Sequence, residues 1–441
     1  MRLNRSSVAA IVGALCVASA APCASPPALG VVVQEDAHPP HPWRKLTAAE
    51  QAKFDFGYAV FNTAWSPANA PAGRTDGLGP LFNVQSCDAC HNSRRRGRGP
   101  RGDGDAPGDL VIQLGKLLPD GRVERGIPEY GRILNTAATA GFTPEASVSI
   151  RYQERPRWLV DGTKTSLRVP SYVVSNLSGP PLPAGTVIMP RMPPLVQGSG
   201  LLERVPEAAL TSLVKSEERE SVSGHISRVN GSTAIGRFGW QATEPTVASQ
   251  TASAFVREMG LTSALASHID CGEGDGACLT APNGGTPEVD PALFDALIWF
   301  QTLHAVPIAK APTADAPGAR LFAQVGCASC HRPTLPVETD NHAAGTITAY
   351  TDLLLHDLGD DLADHDVSGR AVHSEWRTAP LWGLGASVAT GQPLHLLHDG
   401  RARSVEEAIL WHGGAAANSL GRYLALDATE REALEKWIGQ R

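Results

Sequence analysis

The chain has 441 residues, is 42% hydrophobic and 19% charged, and carries a formal net charge of −7, a globular composition. The acidic balance argues against a nucleic-acid partner, because phosphate binding needs a basic face. At roughly 100–200 residues per domain the length predicts two or three domains, and the 44 Gly and 34 Pro predict much loop. At the N-terminus, Arg2 and Arg5 precede an apolar run from Val8 to Ala21 with small residues at Ala18 and Ala20. This pattern predicts an exported, periplasmic protein whose leader, residues 1–24, is removed. The run is shorter than the roughly 20 residues a spanning helix needs, and no later segment is apolar enough to cross a membrane. Cys23 raises lipid anchoring as an alternative, although Ala20-Ala21-Pro22 is a poor context for it.

A capping box at Thr47 and Glu50 predicts a helix running to about Ala64. A Gly/Pro/Ala loop from Ser66 to Pro80 separates it from Cys87-Asp88-Ala89-Cys90-His91. The basic run Arg94-Arg95-Arg96, with Arg98 and Arg101, follows and could pair with the propionates of a haem held at this CxxCH motif; a solvated loop is the other reading. Asp120-Gly121 and Asp161-Gly162 are each flanked by apolar strand-like runs, predicting hairpins in a β-rich insertion over 107–190. Helices are then expected over Pro206 to Val214, Val247 to Met259 and Asp290 to Leu303. Cys271 and Cys278 flank a short acidic loop and form a natural disulfide in an oxidising compartment. Cys327-Ala328-Ser329-Cys330-His331 follows, and the last two helices begin at Ser404 and Asp427, each closed by a Glu three residues on.

The two CxxCH pentads carry the chemistry. Their paired thiols, Cys87 with Cys90 and Cys327 with Cys330, each suit thioether attachment to one porphyrin, and His91 and His331 then stand to ligate the iron. A thioredoxin-like pair would not require the histidine, and a zinc site built from distant CxxC pairs would leave both histidines unexplained. The contexts Leu81-Phe82-Asn83-Val84-Gln85-Ser86 and Leu321-Phe322-Ala323-Gln324-Val325-Gly326 match in placing Phe five residues before the first Cys. The expectation is a mainly α protein: two cytochrome c-like domains carrying two covalent haem c groups, with the β-rich insertion between them. The N-terminal haem domain takes 45–106 and is completed by the helical segment 191–305; the C-terminal one takes 306–441.

Several runs carry a family resemblance: Thr75 to Phe82, Gly200-Leu201-Leu202-Glu203, Gly236-Arg237-Phe238-Gly239-Trp240, Tyr350 to Asp357, Glu375 to Gly383 and His398 to Ala402. Together they resemble the di-haem oxidoreductase family, also labelled thiol oxidoreductase or peroxidase, over nearly all of the chain from about Thr47. The C-terminal third is also similar to the bacterial di-haem cytochrome c peroxidases and to the methylamine-dehydrogenase maturation enzyme. In those relatives a sixth ligand lies fourteen residues past the His of a His-Asp-Gly turn, which falls here on His412. The resemblance implies bis-His ligation by His331 and His412, a low-spin electron-carrying haem. A capping role at a helix end is the alternative for His412.

For the N-terminal haem no histidine occurs between His91 and His225. Either the distal side is open, or Met189, Met192 or His225 reaches it. The relatives place a Gln and a Glu over this haem, implying Gln197 and Glu203 as catalytic groups; for Glu203 a solvated helix-entry carboxylate is the alternative. The resemblance also implies calcium near Thr378 and Pro380, and Trp382 as a relay between the haems or a core residue. The implied activity is peroxidase-like, with peroxide at the N-terminal haem and electrons relayed from an external donor such as a small cytochrome or cupredoxin. Two rivals stand: a non-catalytic di-haem electron-transfer cytochrome, and an oxygen-activating haem oxidase like the rubber-cleaving di-haem enzymes.

Overall fold

The computed structural model describes residues 40–68, 75–91, 97–100, 102–216, 222–229, 232–306, 316–340 and 344–441, with the backbone alone of 28–29, 31–33, 217–220 and 307–308. The expected leader, with Cys16 and Cys23, and the run Arg94 to Arg96 lie outside these residues, as does Arg101.

Each CxxCH pentad sits beside a pair of packed helices. The Ala48–Asn62 helix begins at the Thr47/Glu50 capping box and crosses the Pro291–Leu303 helix. Phe54 and Phe61 close on Phe300 there, with centroids 5.1 and 5.5 Å apart. The crossing needs Gly57: a Cβ at that position would lie 2.0 Å from the Ala296 carbonyl oxygen. In the C-terminal half the Pro317–Val325 helix crosses the Ala428–Ile438 helix, with Phe322 and Trp437 4.9 Å apart. Gly318 takes the matching place, 2.2 Å from the Trp437 Cβ if it carried a Cβ of its own. Burial of these aromatics anchors two of the apolar clusters, one around Phe54, Phe255 and Phe300 and one around Phe322, Trp411, Tyr423 and Trp437.

The expectation of a mainly α protein is overturned: 30% of the chain is helical and 23% is strand, in several sheets. Both Asp-Gly turns do close hairpins. Val111–Leu117 pairs with Val123–Arg125, and Ser147–Trp158 pairs with Lys164–Ser175 over twelve antiparallel positions. The strands also leave the insertion. Thr186–Arg191 lies between Val111–Leu117 and Asp364–Asp366, tying the insertion into one five-stranded sheet with the C-terminal half. A second sheet joins Gly224–His225, Leu355–Asp357 and Glu375–Arg377. Strands of two to four residues fall below the length at which apolar/polar alternation can be recognised, so the stretch 335–377 carries no clear period. No helix among the described residues is long and apolar enough to cross a membrane.

Candidate functional site

The first pentad is a single turn of helix, Cys87–Cys90, capped by Ser86, whose hydroxyl accepts from the Ala89 N–H at 3.2 Å. The second is a tighter 3-10 turn following Gly326, which ends the preceding helix at φ 94°. Both histidines are oriented in the same way. His91 donates its Nδ1–H to the Pro194 carbonyl at 3.0 Å, and His331 donates its own to the Tyr350 carbonyl at 3.0 Å. That fixes the tautomer and leaves each Nε2 lone pair for a metal. Burial keeps both rings neutral: His331 is pushed down to about 4, first by desolvation and then by the neighbouring His412. Burial raises the thiols, Cys87 and Cys327 each to about 12. A redox-active pair needs the opposite, a depressed thiol.

Each pentad opens into a large cavity. The first holds about 1690 Å³, counting its solvent-filled mouth, and is walled by Cys87, Cys90 and His91. The second holds about 1380 Å³, its solvent-filled mouth likewise included, and is walled by Cys327, Cys330, His331 and His412. His412 follows the Ser404-capped helix Val405–Leu410 and donates its Nδ1–H to the Ala408 carbonyl at 2.7 Å. Its ring centroid is 6.5 Å from that of His331. Two metal–imidazole bonds of about 2.0–2.1 Å each, with each nitrogen about 1 Å from its ring centre, put two centroids about 6.1 Å apart. The pair therefore fits one iron between them.

Comparing the halves identifies the residues facing the first cavity. The helix Val247–Met259 is capped by Thr246, as Val405–Leu410 is by Ser404. Eight residues past each cap stand Ala254 and His412, and six residues before each cap stand Trp240 and His398. Ala254 lines the first cavity as His412 lines the second. At the offset where one half carries the His412 imidazole, the other carries only a methyl group. Gln250 and Glu258, one turn before and after Ala254, line the same wall. The Glu258 Oε2 is sealed from solvent and has no hydrogen-bond partner, and burial pushes this carboxyl up to about 7, against a smaller opposing pull from Arg257. Trp240 lines both cavities. It meets His398 edge to face at 6.5 Å, and His398 in turn stacks on Trp376 at 3.7 Å.

The residues expected to act over the first haem lie elsewhere. Glu203 ends the short helix Ser199–Glu203, and its Oε2 accepts the Val247 N–H at 2.9 Å, capping the helix that carries Gln250 and Glu258. Gln197 is buried, and neither it nor Glu203 lines the first cavity. Met189 faces the sheet beside Gly115 and does not line the cavity. Met192 does line it, from the Met192-Pro193-Pro194 segment whose Pro194 carbonyl accepts the His91 bond. His225 is half exposed, 3.6 Å from Glu375, and lines neither haem-motif cavity.

Trp382 lines the first cavity alone and packs on Gly198, so the tryptophan between the cavities is Trp240. The Thr378 carbonyl, expected near a calcium, accepts from the Thr351 hydroxyl at 2.6 Å and from Arg377. Arg98 is committed to Asp109 at 2.9 Å, and a disulfide joins Cys271 to Cys278. Gln250, Ala254 and Glu258 were legible in principle: aligning Thr246 with Ser404 finds them, whereas counting onward from CxxCH does not.

Two histidine-terminated CxxCH turns, each opening into its own cavity, define a protein suited to two haems. The chain belongs to the di-haem oxidoreductase family: the family model described as "Di-haem oxidoreductase, putative peroxidase" matches residues 137–440, a span that includes the second pentad and begins after the first. No curated protein matches the chain. Among solved structures it is similar to the hydrazine synthase of Kuenenia stuttgartiensis, pressurised with 20 bar xenon, at 16% identity and a TM-score of 0.25. That match covers 38% of this chain and 60% of the other.

Proposed function

We propose that this protein is an exported c-type di-haem peroxidase that reduces hydrogen peroxide to water with electrons from a small cytochrome or cupredoxin. The balance is H2O2 with two protons and two electrons giving two waters. The observation that carries the reading is the asymmetry of the two helices, which present Ala254 to one cavity and His412 to the other. A bound haem supplies the iron, with its capacity to coordinate an oxygen and exchange electrons.

The chain supplies the rest. Cys87 and Cys90 hold one haem, and Cys327 and Cys330 the other. His91 would ligate a haem held at the first pentad, with Ala254 in the facing wall where a substrate would enter. His331 and His412 would together ligate a haem held at the second, which suits electron entry. Glu258 accepts a proton from one peroxide oxygen and returns it to the other, work for which a carboxyl near neutrality is matched. Gln250, a turn away, orients the peroxide by hydrogen bonding. Trp240 spans the wall between the cavities and carries electrons from one to the other.

The electron-carrier reading has the weaker support, because a pure carrier has no use for an unpartnered carboxyl beside a ligand-free helix face. Peroxide consumption with a reduced small cytochrome as donor tests the proposal. Stoichiometric oxidation of two donors per peroxide supports it, and no peroxide-dependent oxidation contradicts it. Oxygen consumption without added peroxide would point instead to the oxidase.

A further inference from the structure

The first cavity's wall is rich in cations. It contains Arg125, Arg191, Arg257 and Arg377, against a single carboxyl, Glu258. Arg191 is neutralised by Asp364 through two contacts of 2.7 and 2.6 Å, both side chains buried. Arg377 bonds the Gly239 carbonyl at 3.0 Å and faces both cavities.

Arg125 and Arg257 differ from Arg191. Arg125 reaches only the amide oxygen of Gln241, at 2.8 Å. The Nε–H of Arg257, a buried residue, goes to the Ser253 carbonyl at 3.2 Å. Neither has a carboxylate within ion-pair distance among the described residues. Burial, with Arg191 and Arg257 nearby, pushes Arg125 down to about 10. Burying a cation without a counter-ion is costly, so a wall with this excess of guanidiniums over carboxyls suits an anionic ligand.

We propose that Arg125 and Arg257 form the cradle for the two propionate carboxylates of the haem in the first cavity. A guanidinium presents parallel N–H groups that match a carboxylate, which gives geometry as well as charge. Arg125 stands at the end of the Val123–Arg125 strand and is bonded to Gln241, the neighbour of Trp240. It thus reaches the cavity from the sheet rather than from the turn holding Cys87 and Cys90. The second cavity has no such pair; Arg377 is the only Arg or Lys in its described wall. This assignment rests on haem occupying the first cavity and not on the peroxide reading. A pyridine haemochrome count of two haems per chain tests that premise separately.

The test uses the holoprotein and its Arg125→Gln, Arg257→Gln and double variants. Two readouts are followed: the midpoint potential of each haem by spectroelectrochemistry, and the propionate-bending mode by resonance Raman. Removing a cation from a propionate leaves negative charge that favours ferric iron. The midpoint of the first haem should therefore fall in each single variant and further in the double, its bending mode should shift, and the second haem should keep both values. An unchanged potential and mode in both single variants would overturn the assignment. Where a glutamine variant matures without the first haem, the lysine variant decides, since it keeps the charge but loses the paired N–H geometry. A shifted mode supports the cradle, and a wild-type mode contradicts it. Acetate titrated into the unmodified holoprotein should leave the first haem's spectrum unchanged. An acetate-dependent shift that disappears in the double variant would mean that these arginines serve a soluble anion instead.

Discussion

His331 and His412 face each other across the second cavity with ring centroids 6.5 Å apart, each held by an Nδ1–H bond to a backbone carbonyl. Replacing His412 with Ala should convert the second haem from low-spin to high-spin while the first keeps its signal. A low-spin signal that survives the substitution removes His412 from the ligand set.

Covalent attachment has its own test. With Cys87, Cys90, Cys327 and Cys330 bonded to the porphyrins, acid–acetone should leave two haems on each denatured chain. Haem recovered in the acetone would contradict c-type binding, and a Cys327→Ala/Cys330→Ala chain should retain one.

Glu258→Gln keeps the volume and removes the proton carrier. The reaction with peroxide should slow by about 10²–10⁴-fold, the usual worth of general acid–base help, with both haem spectra intact. Because the acceptor must be ionised and burial raises this carboxyl to about 7, the unmodified rate should fall as pH drops below about 7 and level off above it. Stopped-flow mixing across that range measures the profile. The variant's profile should be flat there; a variant that keeps the wild-type rate and profile excludes Glu258.

Glu203→Ala separates positioning from chemistry. It removes the acceptor for the Val247 N–H and should cost about 0.5–2 kcal/mol, as loss of a helix cap does. Peroxide reactivity should fall far less than in Glu258→Gln. A loss as large as that of Glu258→Gln would return Glu203 to the mechanism.

The helix crossings make a stability prediction. A Cβ at Gly57 or Gly318 would collide with backbone or a ring-bearing Cβ at 2.0 and 2.2 Å. Gly57→Ala and Gly318→Ala should each lose at least about 1–3 kcal/mol, the cost of overpacking a close contact, measured by denaturant unfolding of the holoprotein. Unchanged midpoints would mean the helices separate freely.

What the sequence disclosed follows from the range of each signal. Capping boxes and CxxCH are local, so Thr47, Ser404, Asp427 and both pentads were readable, and the Val247–Met259 helix falls where its periodicity put it. Strands such as Asp364–Asp366 owe their existence to partners far away in the chain, here Thr186–Arg191. No local pattern announces them, and the mainly α expectation failed there. The bond of Glu203 to the Val247 N–H was equally out of reach, because it joins residues whose contact only the tertiary fold creates. The repeat that relates Trp240 to His398 and Ala254 to His412 was present in the sequence, spread over helices whose side chains otherwise differ.

The measurement that tests the account most directly is electron paramagnetic resonance of the fully oxidised holoprotein. With Ala254 over one haem and His412 bound to the other, the spectrum should contain one high-spin and one low-spin ferric signal in equal amounts. Two low-spin signals would contradict it, because both irons would then carry two protein ligands and the first cavity would have no coordination position for peroxide.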